Sequence, residues 1–404
     1  MKKKLISLFL VGAMAASVLT GCGSGNGGAA ADNSGAADDG AAADSGDNSD
    51  ASEAADSGES NADTDSASAV DGQIAMITDS GDITDESFNQ ITWETCVAYG
   101  EANGIETAYY KPADDTDEER INAIDMAIKD GATIVVMPGY LFGPAIAEEQ
   151  SVYPDVKFVA VDVTEFDVVN LAGESVGLSD NVYICSFQEE QAGYLAGYAA
   201  VKDGYTRLGF LGGMAVPAVI RYGYGYVQGI DAAAEELGVD VDVKYYYGGQ
   251  FYGDATITAR MEGWYADGTE IVFACGGGIY TSAVDAADGY DGKVIGVDVD
   301  QHPVLGDVCV TSAMKGLGSA VTSALDAYFN GNWASIGGKS EQLGLDQGDY
   351  LGLPTDTASW GFTTFTTGEY EEVLSGIKDG SIAISNDTEN QPQVGSHTSV
   401  SYIE

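Results

Sequence analysis

Histidine is almost missing from this chain. It has 2 in 404 residues, His302 and His397, too few for a His-based metal centre or a Ser–His triad. His302 precedes a proline in an expected loop and His397 falls in a polar tail, so neither reads as a ligand. Basic residues are scarce as well: Lys+Arg total 16 against 64 Asp+Glu, a formal net charge of -48. That balance argues against nucleic acid or an anionic membrane surface as partner, and otherwise serves solubility. The 5 cysteines show no CxxC or zinc spacing. Four of them, Cys96, Cys185, Cys275 and Cys309, lie in apolar or glycine-rich surroundings and read as buried free thiols, with a disulfide left open should the protein be exported. The apolar run over residues 5–19 is shorter than the ~20 residues a spanning helix needs.

What is present begins with a targeting segment. Lys2, Lys3 and Lys4 form a basic stretch before that apolar run, which ends in Leu19-Thr20-Gly21-Cys22. The ending resembles the bacterial lipobox, which implies a signal peptide over 1–22 and lipidation of Cys22. Acyl chains on Cys22 would hold the protein at the extracytoplasmic face of a membrane by burial alone. Residues 23–72 contain Gly, Ala, Ser, Asn, Asp and Glu, no Lys or Arg, and almost nothing large and apolar. Such a segment cannot offset its ordering entropy and is expected to be a disordered, self-repelling acidic tether. Its scattered acids lack the ligand spacing of a calcium site.

Folded sequence starts near Gln73. Ile74, Met76 and Ile77 make a strand, residues 78–82 break it, and a helix follows with Ser87 as its expected N-cap and Trp93 and Cys96 on its apolar stripe. Apolar strand runs such as TIVVM (133–137), KFVAVDV (157–163), RLGFL (207–211), EIVFA (270–274) and KVIGVD (293–298) alternate with helical patterns. That rhythm predicts an α/β protein with parallel sheets covered on both faces. Two lobes are expected: a first over 73–182, completed by about 300–330, and a second over 183–299, completed by about 331–404. In such sheets ligands bind outside the carboxyl ends of the strands, and between two lobes the cleft is the default site. Candidate contacts at those ends are Asp79, Asp162, Phe273 with its following glycines, and Asp298. Each taken singly also suits a structural role, the aspartates as helix caps and Phe273 as core.

The motifs TDSGDITDESFNQ (78–90), GGMAVPAVIRYGYGYVQG (212–229), IGVDVDQ (295–301) and TSAMK (311–315) resemble the basic membrane protein family. These are lipoprotein solute-binding proteins of ABC transporters, and the best known bind purine nucleosides. The resemblance implies a type I periplasmic-binding fold, two doubly wound parallel-sheet lobes joined by a hinge. It implies that Phe88 and Phe273 sandwich a purine from opposite lobes, that Asp162 accepts from the base edge, and that Asp79 and Asn89 are contacts in the first lobe. Asp298 would bind ribose hydroxyls with Lys315 nearby, Gly277 would line the site, and Phe251 would supply a further aromatic. Two departures stand out. Ile279-Tyr280-Thr281-Ser282 replaces smaller residues and is expected to narrow the sugar end, and Gln191 replaces a glutamate.

The implied function is an anchored extracytoplasmic binding protein, monomeric and without cofactor or metal, that passes a purine nucleoside to an ABC permease and ATPase. Guanosine or inosine is preferred over adenosine, because an ionised Asp162 only accepts hydrogen bonds. Two other readings stay open at this point: a ligand-presenting subunit of a sensor, and a calcium-dependent nucleoside hydrolase built on Asp79, Asp82 and Asp85.

Overall fold

The computed structural model describes residues 72–79 and 81–404. The expected signal segment, its Cys22 and the expected acidic tether as far as residue 71 lie outside the described residues.

The chain opens with β1 (Gln73–Ile77), α1 (Phe88–Asn103), β2 (Glu106–Tyr110), α2 (Asp117–Lys129), β3 (Ile134–Pro138), α3 (Gly143–Val152), β4 (Lys157–Val161) and β5 (Val182–Phe187). It crosses to a second lobe made of α4 (Glu189–Lys202), β6 (Arg207–Gly212), α5 (Pro217–Leu237), β7 (Val241–Tyr247), α6 (Ala255–Ala266), β8 (Ile271–Cys275), α7 (Tyr280–Ala287), β9 (Lys293–Asp298), a short α8 (His302–Leu305) and β10 (Cys309–Lys315). It returns for α9 (Leu317–Phe329) and β11 (Lys339–Leu343), then crosses a last time to β12 (Leu351–Gly352), α10 (Thr367–Lys378) and β13 (Thr398–Ile403).

The first sheet has the order β11-β5-β4-β3-β1-β2 and is parallel throughout. The second runs β12-β10-β9-β8-β6-β7-β13, with only β12 antiparallel. Every residue of β3 and β8 is buried, as a strand covered on both faces requires.

The lobe boundaries differ from those expected at 182/183 and near 299 and 330. β5 pairs with β4 in the first sheet, β10 lies beside β9 in the second, and β11 returns to the edge of the first. The chain changes lobe only after these strands because each must pair its backbone along its length, and β5 and β10 bury nearly every side chain as well. The polar tail also hides an element. Residues 398–403 alternate in character and lie parallel along β7, covering its edge, with His397 just before them bonded to Asp240.

Three segments therefore join the lobes: Gln188 after β5, Gly316 after β10, and residues 344–350 before β12. They are stitched to one another. Gln188 N–H donates to Leu343 O (2.9 Å), and Gly316 N–H donates to Tyr350 O (2.6 Å). Gln191, one of the two departures, belongs to this hinge: its Oε1 accepts from Leu345 N–H (2.9 Å) and its amide donates to Gln188 Oε1 (2.6 Å).

At the start of α1 the expected N-cap does not cap. Ser87 makes no side-chain bond to the helix. Asp85 accepts instead from the backbone N–H groups of Ser87 (3.0 Å), Asn89 (3.0 Å) and Gln90 (3.1 Å). Its carboxylate meets the positive end of the helix dipole there. Asp85→Ala is expected to cost about 0.5–2 kcal/mol in urea unfolding, the usual loss on removing a cap.

Candidate functional site

The carboxyl ends of both sheets face a cavity of about 920 Å³ between the lobes, at the upper end of the ~300–1,000 Å³ typical of small-molecule sites. Asp79, Phe88, Asn89 and Asp162 line it from the first lobe, and Phe251, Gly277 and Asp298 from the second. Lys315, at the end of β10 where the chain crosses, lines it too.

Asp162 and Asp298 occupy matching places. Each sits at the carboxyl end of a strand, β4 or β9, with a left-handed backbone (φ 59° and 65°). Aspartate tolerates that region better than most residues, but strain of this kind is kept where surrounding structure demands it. Here both side chains converge on one cation. Lys315 Nζ lies 2.5 Å from Asp162 Oδ2, 3.6 Å from Asp298 Oδ1 and 3.5 Å from Glu189 Oε1. The rings of Phe88, Phe187 and Tyr222 surround it, 5.0, 5.5 and 5.6 Å from the ammonium.

Glu189, the first residue of α4, is buried and also held by Arg221 Nε at 2.5 Å. That pair depends on close helix packing. A Cβ on Gly225 of α5 would lie 2.1 Å from Glu190 O, and one on Gly193 of α4 would lie 2.1 Å from Tyr222 O. Glycine at both places lets the backbones touch and brings Arg221 over Glu189.

The charges are unequally satisfied. Burial opposes the Lys315 ammonium, yet Asp162, Asp298 and Glu189 together hold its pKa above that of a free lysine. Burial also works against an ionised Glu189, but Arg221 and Lys315 outweigh it and keep the carboxyl below the ordinary glutamate range. Asp162 is the exception: burial pushes it up to about 7 despite Lys315, because it shares that cation with Glu189 and Asp298. Its Oδ1 is buried and has no hydrogen-bond partner among the described residues. An unpaired buried acceptor is costly, so this atom is the natural place for a ligand donor.

The remaining first-lobe residues are braced. Asp79 Oδ1 accepts from Gly81 N–H (2.7 Å) and Asn89 Nδ2 (2.9 Å), while Asp79 N–H donates to Asn89 Oδ1 (3.3 Å). Burial pushes Asp79 up to about 6. The carboxylates that suggested a hydrolase do separate work: Asp79 orients Asn89, Asp82 pairs with Lys111 (2.7 Å), and Asp85 caps α1. Among the described residues no three His, Cys, Asp or Glu side chains are placed to hold a metal ion.

Phe273 is not in the cleft. It stands in the middle of β8, 0% exposed, with ring centroids of Phe210, Tyr222 and Tyr226 at 5.5, 5.9 and 5.3 Å. A mid-strand side chain points into the layer between sheet and helix, and only residues past the strand end reach the cleft. Phe251, in the loop after β7, is the second-lobe phenylalanine that lines the cavity. Its ring lies against glycines: a Cβ would come within 2.5 Å of it at Gly213 and 3.0 Å at Gly276. The Ile279–Ser282 departure does not narrow the site either. None of the four residues lines the cavity: Ile279 and Tyr280 are buried in a core cluster of the second lobe, and Ser282 accepts from Asp254 N–H (3.0 Å).

Sequence reasoning missed Ser87, Glu189, Arg221 and Tyr222. The signals existed: a glutamate opening a helix (FQEEQAG) and one arginine among glycines and tyrosines (VIRYGYG), each too polar for its apolar helix face. The four described cysteines are free and buried, and Cys275 lies on the cavity wall. No helix among the described residues is long and apolar enough to cross a membrane.

Similarity to known proteins runs along most of the described chain. The chain is 27% identical over 292 residues to Basic membrane protein B of Borreliella burgdorferi, covering 70% of this chain and 80% of that protein. It is 28% identical over 313 residues to the ABC transporter nucleoside-binding protein BmpA of Lactococcus lactis, covering 71% and 83%. Solved solute-binding proteins of ABC transporters from Aeropyrum pernix and Conexibacter woesei superpose with TM-scores of 0.62 each, at 20% and 21% identity. These cover 78% of this chain and 88% and 99% of theirs, and establish the type I periplasmic-binding fold. The family model for ABC transporter substrate-binding proteins, PnrA-like, matches residues 73–360, and the chain belongs to that Bmp family.

Proposed function

We propose that the cleft binds a purine nucleoside, with the base between Phe88 and Phe251 and its edge on Asp162. The observation that carries this reading is the buried Oδ1 of Asp162, unpartnered among the described residues, in a cavity lined by phenylalanines from both lobes, Phe88 and Phe251 among them. Offset stacking on rings from both lobes contributes only when the lobes are shut, which couples binding to closure. The nucleoside-binding relative in Lactococcus lactis supports the same ligand class. The protein would deliver this ligand to an ABC permease and ATPase for import, tethered through a lipid on Cys22 at the extracytoplasmic face.

Base preference follows from the protonation state of Asp162. Hypoxanthine and guanine present N1–H as a donor, adenine presents N1 as an acceptor, and an ionised carboxylate can only accept. With Asp162 near 7, the carboxylate form prevails at pH 8 and the protonated form, able to donate to adenine, prevails at pH 6. Calorimetry at pH 8 is expected to show inosine and guanosine binding tighter than adenosine by about ten- to a hundredfold, the worth of one charge-assisted hydrogen bond. The ratio should shrink at pH 6. Adenosine binding equally well at pH 8 would refute the Asp162 contact, and no binding of any of the three would refute the nucleoside reading.

A further inference from the structure

Lys315 is shared by three carboxylates, and two of them have other donors. Asp298 Oδ2 accepts from the Ser87 hydroxyl, across the cleft, at 2.6 Å, and its Oδ1 faces the Tyr222 hydroxyl at 3.4 Å. Glu189 Oε2 accepts from Arg221 Nε at 2.5 Å. Among the described residues Asp162 has Lys315 alone, on Oδ2, and no donor on Oδ1. Ser87 and Arg221 thus satisfy the rivals of Asp162, and the ammonium lies nearest to the carboxylate that has nothing else.

Glu189 is 0% exposed and is not part of the cavity wall, so it acts on a ligand only through other groups. It opens α4 just past the crossing from β5, and its Oε1 lies 3.5 Å from Lys315 Nζ, against 2.5 Å for Asp162 Oδ2. An anion at that place draws the ammonium from Asp162 and disfavours a second negative charge beside it. The groups facing Asp162 are Lys315 from β10, Asp298 from β9, Glu189 from α4, Arg221 and Tyr222 from α5, Cys185 from β5 and Cys275 from β8. Asp79 stands two strands away, beyond Gly139. Burial keeps both thiols and the Tyr222 hydroxyl neutral, while Glu189, Lys315 and Arg221 stay charged throughout pH 6–8. Glu190, next to Glu189, is pushed up to about 7 by burial and titrates in the same range.

We propose that Glu189 is a positioning residue for base selection: by competing with Asp162 for the Lys315 ammonium it sets how readily the base-reading carboxylate takes a proton, and Arg221 sets the strength of that competition. Without the Glu189 charge, Lys315 serves Asp162 more fully, Asp162 stays ionised to lower pH, and the preference for a 6-oxopurine persists there. Without the Arg221 charge, Glu189 is uncovered, Asp162 keeps its proton to higher pH, and the preference shrinks. A general loosening of the cleft cannot move the two variants in opposite directions. The base-selection half of this inference rests on the nucleoside reading; the competition for Lys315 rests on the cleft alone.

The experiment compares the wild type, Glu189→Gln, Arg221→Met and, as a control, Glu190→Gln with inosine and adenosine, by calorimetry at pH 6 and pH 8. Carboxyl-carbon NMR titration of the unliganded proteins, with the Asp162 signal assigned by its loss in Asp162→Asn, supplies a readout that needs no ligand. In Glu189→Gln the inosine preference should remain about tenfold or more at pH 6, where that of the wild type has shrunk. In Arg221→Met it should fall below about threefold already at pH 8, and Glu190→Gln should follow the wild type. The Asp162 carboxyl should titrate at lower pH in Glu189→Gln and at higher pH in Arg221→Met. Should Glu189→Gln fail to fold, Arg221→Met decides the matter by the same two readouts. An Asp162 titration unmoved in both variants, or moved the same way in both, would overturn the proposal. If the titrations move as expected but neither nucleoside binds any of the proteins, the competition for Lys315 stands and the nucleoside reading fails.

Discussion

Replacing Lys315 by methionine is expected to remove about 3–5 kcal/mol of folding stability at pH 8, the range found when one partner of a buried ion pair is deleted. Methionine fills much of the same volume inside the Phe88, Phe187 and Tyr222 rings, so the loss would be electrostatic. Asp162, Asp298 and Glu189 would be left facing one another with only Arg221 for compensation. The cost should also depend on pH, with a definite sign. Lys315 is held above the ordinary lysine pKa of 10.5, so its own contribution is fully present, and flat, between pH 6 and 8.

The carboxylates supply the slope. Asp162 is raised from 3.8 to about 7 even with the ammonium beside it, and would be raised further without it. Between those values the native state keeps a proton that the unfolded chain has lost, so stability falls as pH rises. Lys315→Met should therefore lose more stability at pH 8 than at pH 6. Urea unfolding at the two pH values, with unchanged m, measures this directly. A loss below about 1 kcal/mol at pH 8, the value of an exposed pair, would mean that the network is solvated rather than buried.

Phe273→Ala is expected to cost a similar amount, about 3–5 kcal/mol, for a different reason: it empties a core site closed by Phe210, Tyr222 and Tyr226. Phe251→Ala should lose a fraction of that stability but weaken nucleoside binding by about 1–3 kcal/mol, the usual worth of a stacked ring. The two substitutions separate a core phenylalanine from a cleft phenylalanine in one pair of experiments, denaturant titration and calorimetry. If Phe251→Ala instead unfolds the protein and Phe273→Ala spares stability while losing the ligand, the places given to the two rings are reversed.

The exchange of Phe273 for Phe251 shows how far sequence patterns reach. An apolar run such as IVFAC announces a buried strand, but a strand covered on both faces buries every side chain, so periodicity does not say where it ends. Whether Phe273 was the last residue before the cleft or the third of five was invisible. The runs GG (212–213) and GGG (276–278) were visible, but that one glycine of each, Gly213 and Gly276, makes room for the Phe251 ring appears only once β6, β8 and the loop after β7 lie side by side. Ser87 carries the same lesson. A serine before FNQ reads as a cap, and the aspartate two residues earlier as one of three possible hydrolase carboxylates, yet the loop geometry gives the cap to Asp85.

The family resemblance named Phe88, Asn89 and Lys315 as cleft residues; from residues alone came the α/β class, most strands and helices, the scarcity of histidine that removes whole classes of chemistry, and Asp79, Asp162 and Asp298 at strand ends facing a cleft. These are local or compositional properties, written in short stretches where side-chain pattern and backbone preference agree. Tertiary structure alone decided that β5 and β10 precede the crossings, that Glu189 and Arg221 join the Lys315 cluster, and that Ser87 reaches Asp298. Those depend on which residues, tens to hundreds apart in the chain, the two sheets carry to one point in space, and neither composition nor periodicity encodes that distance.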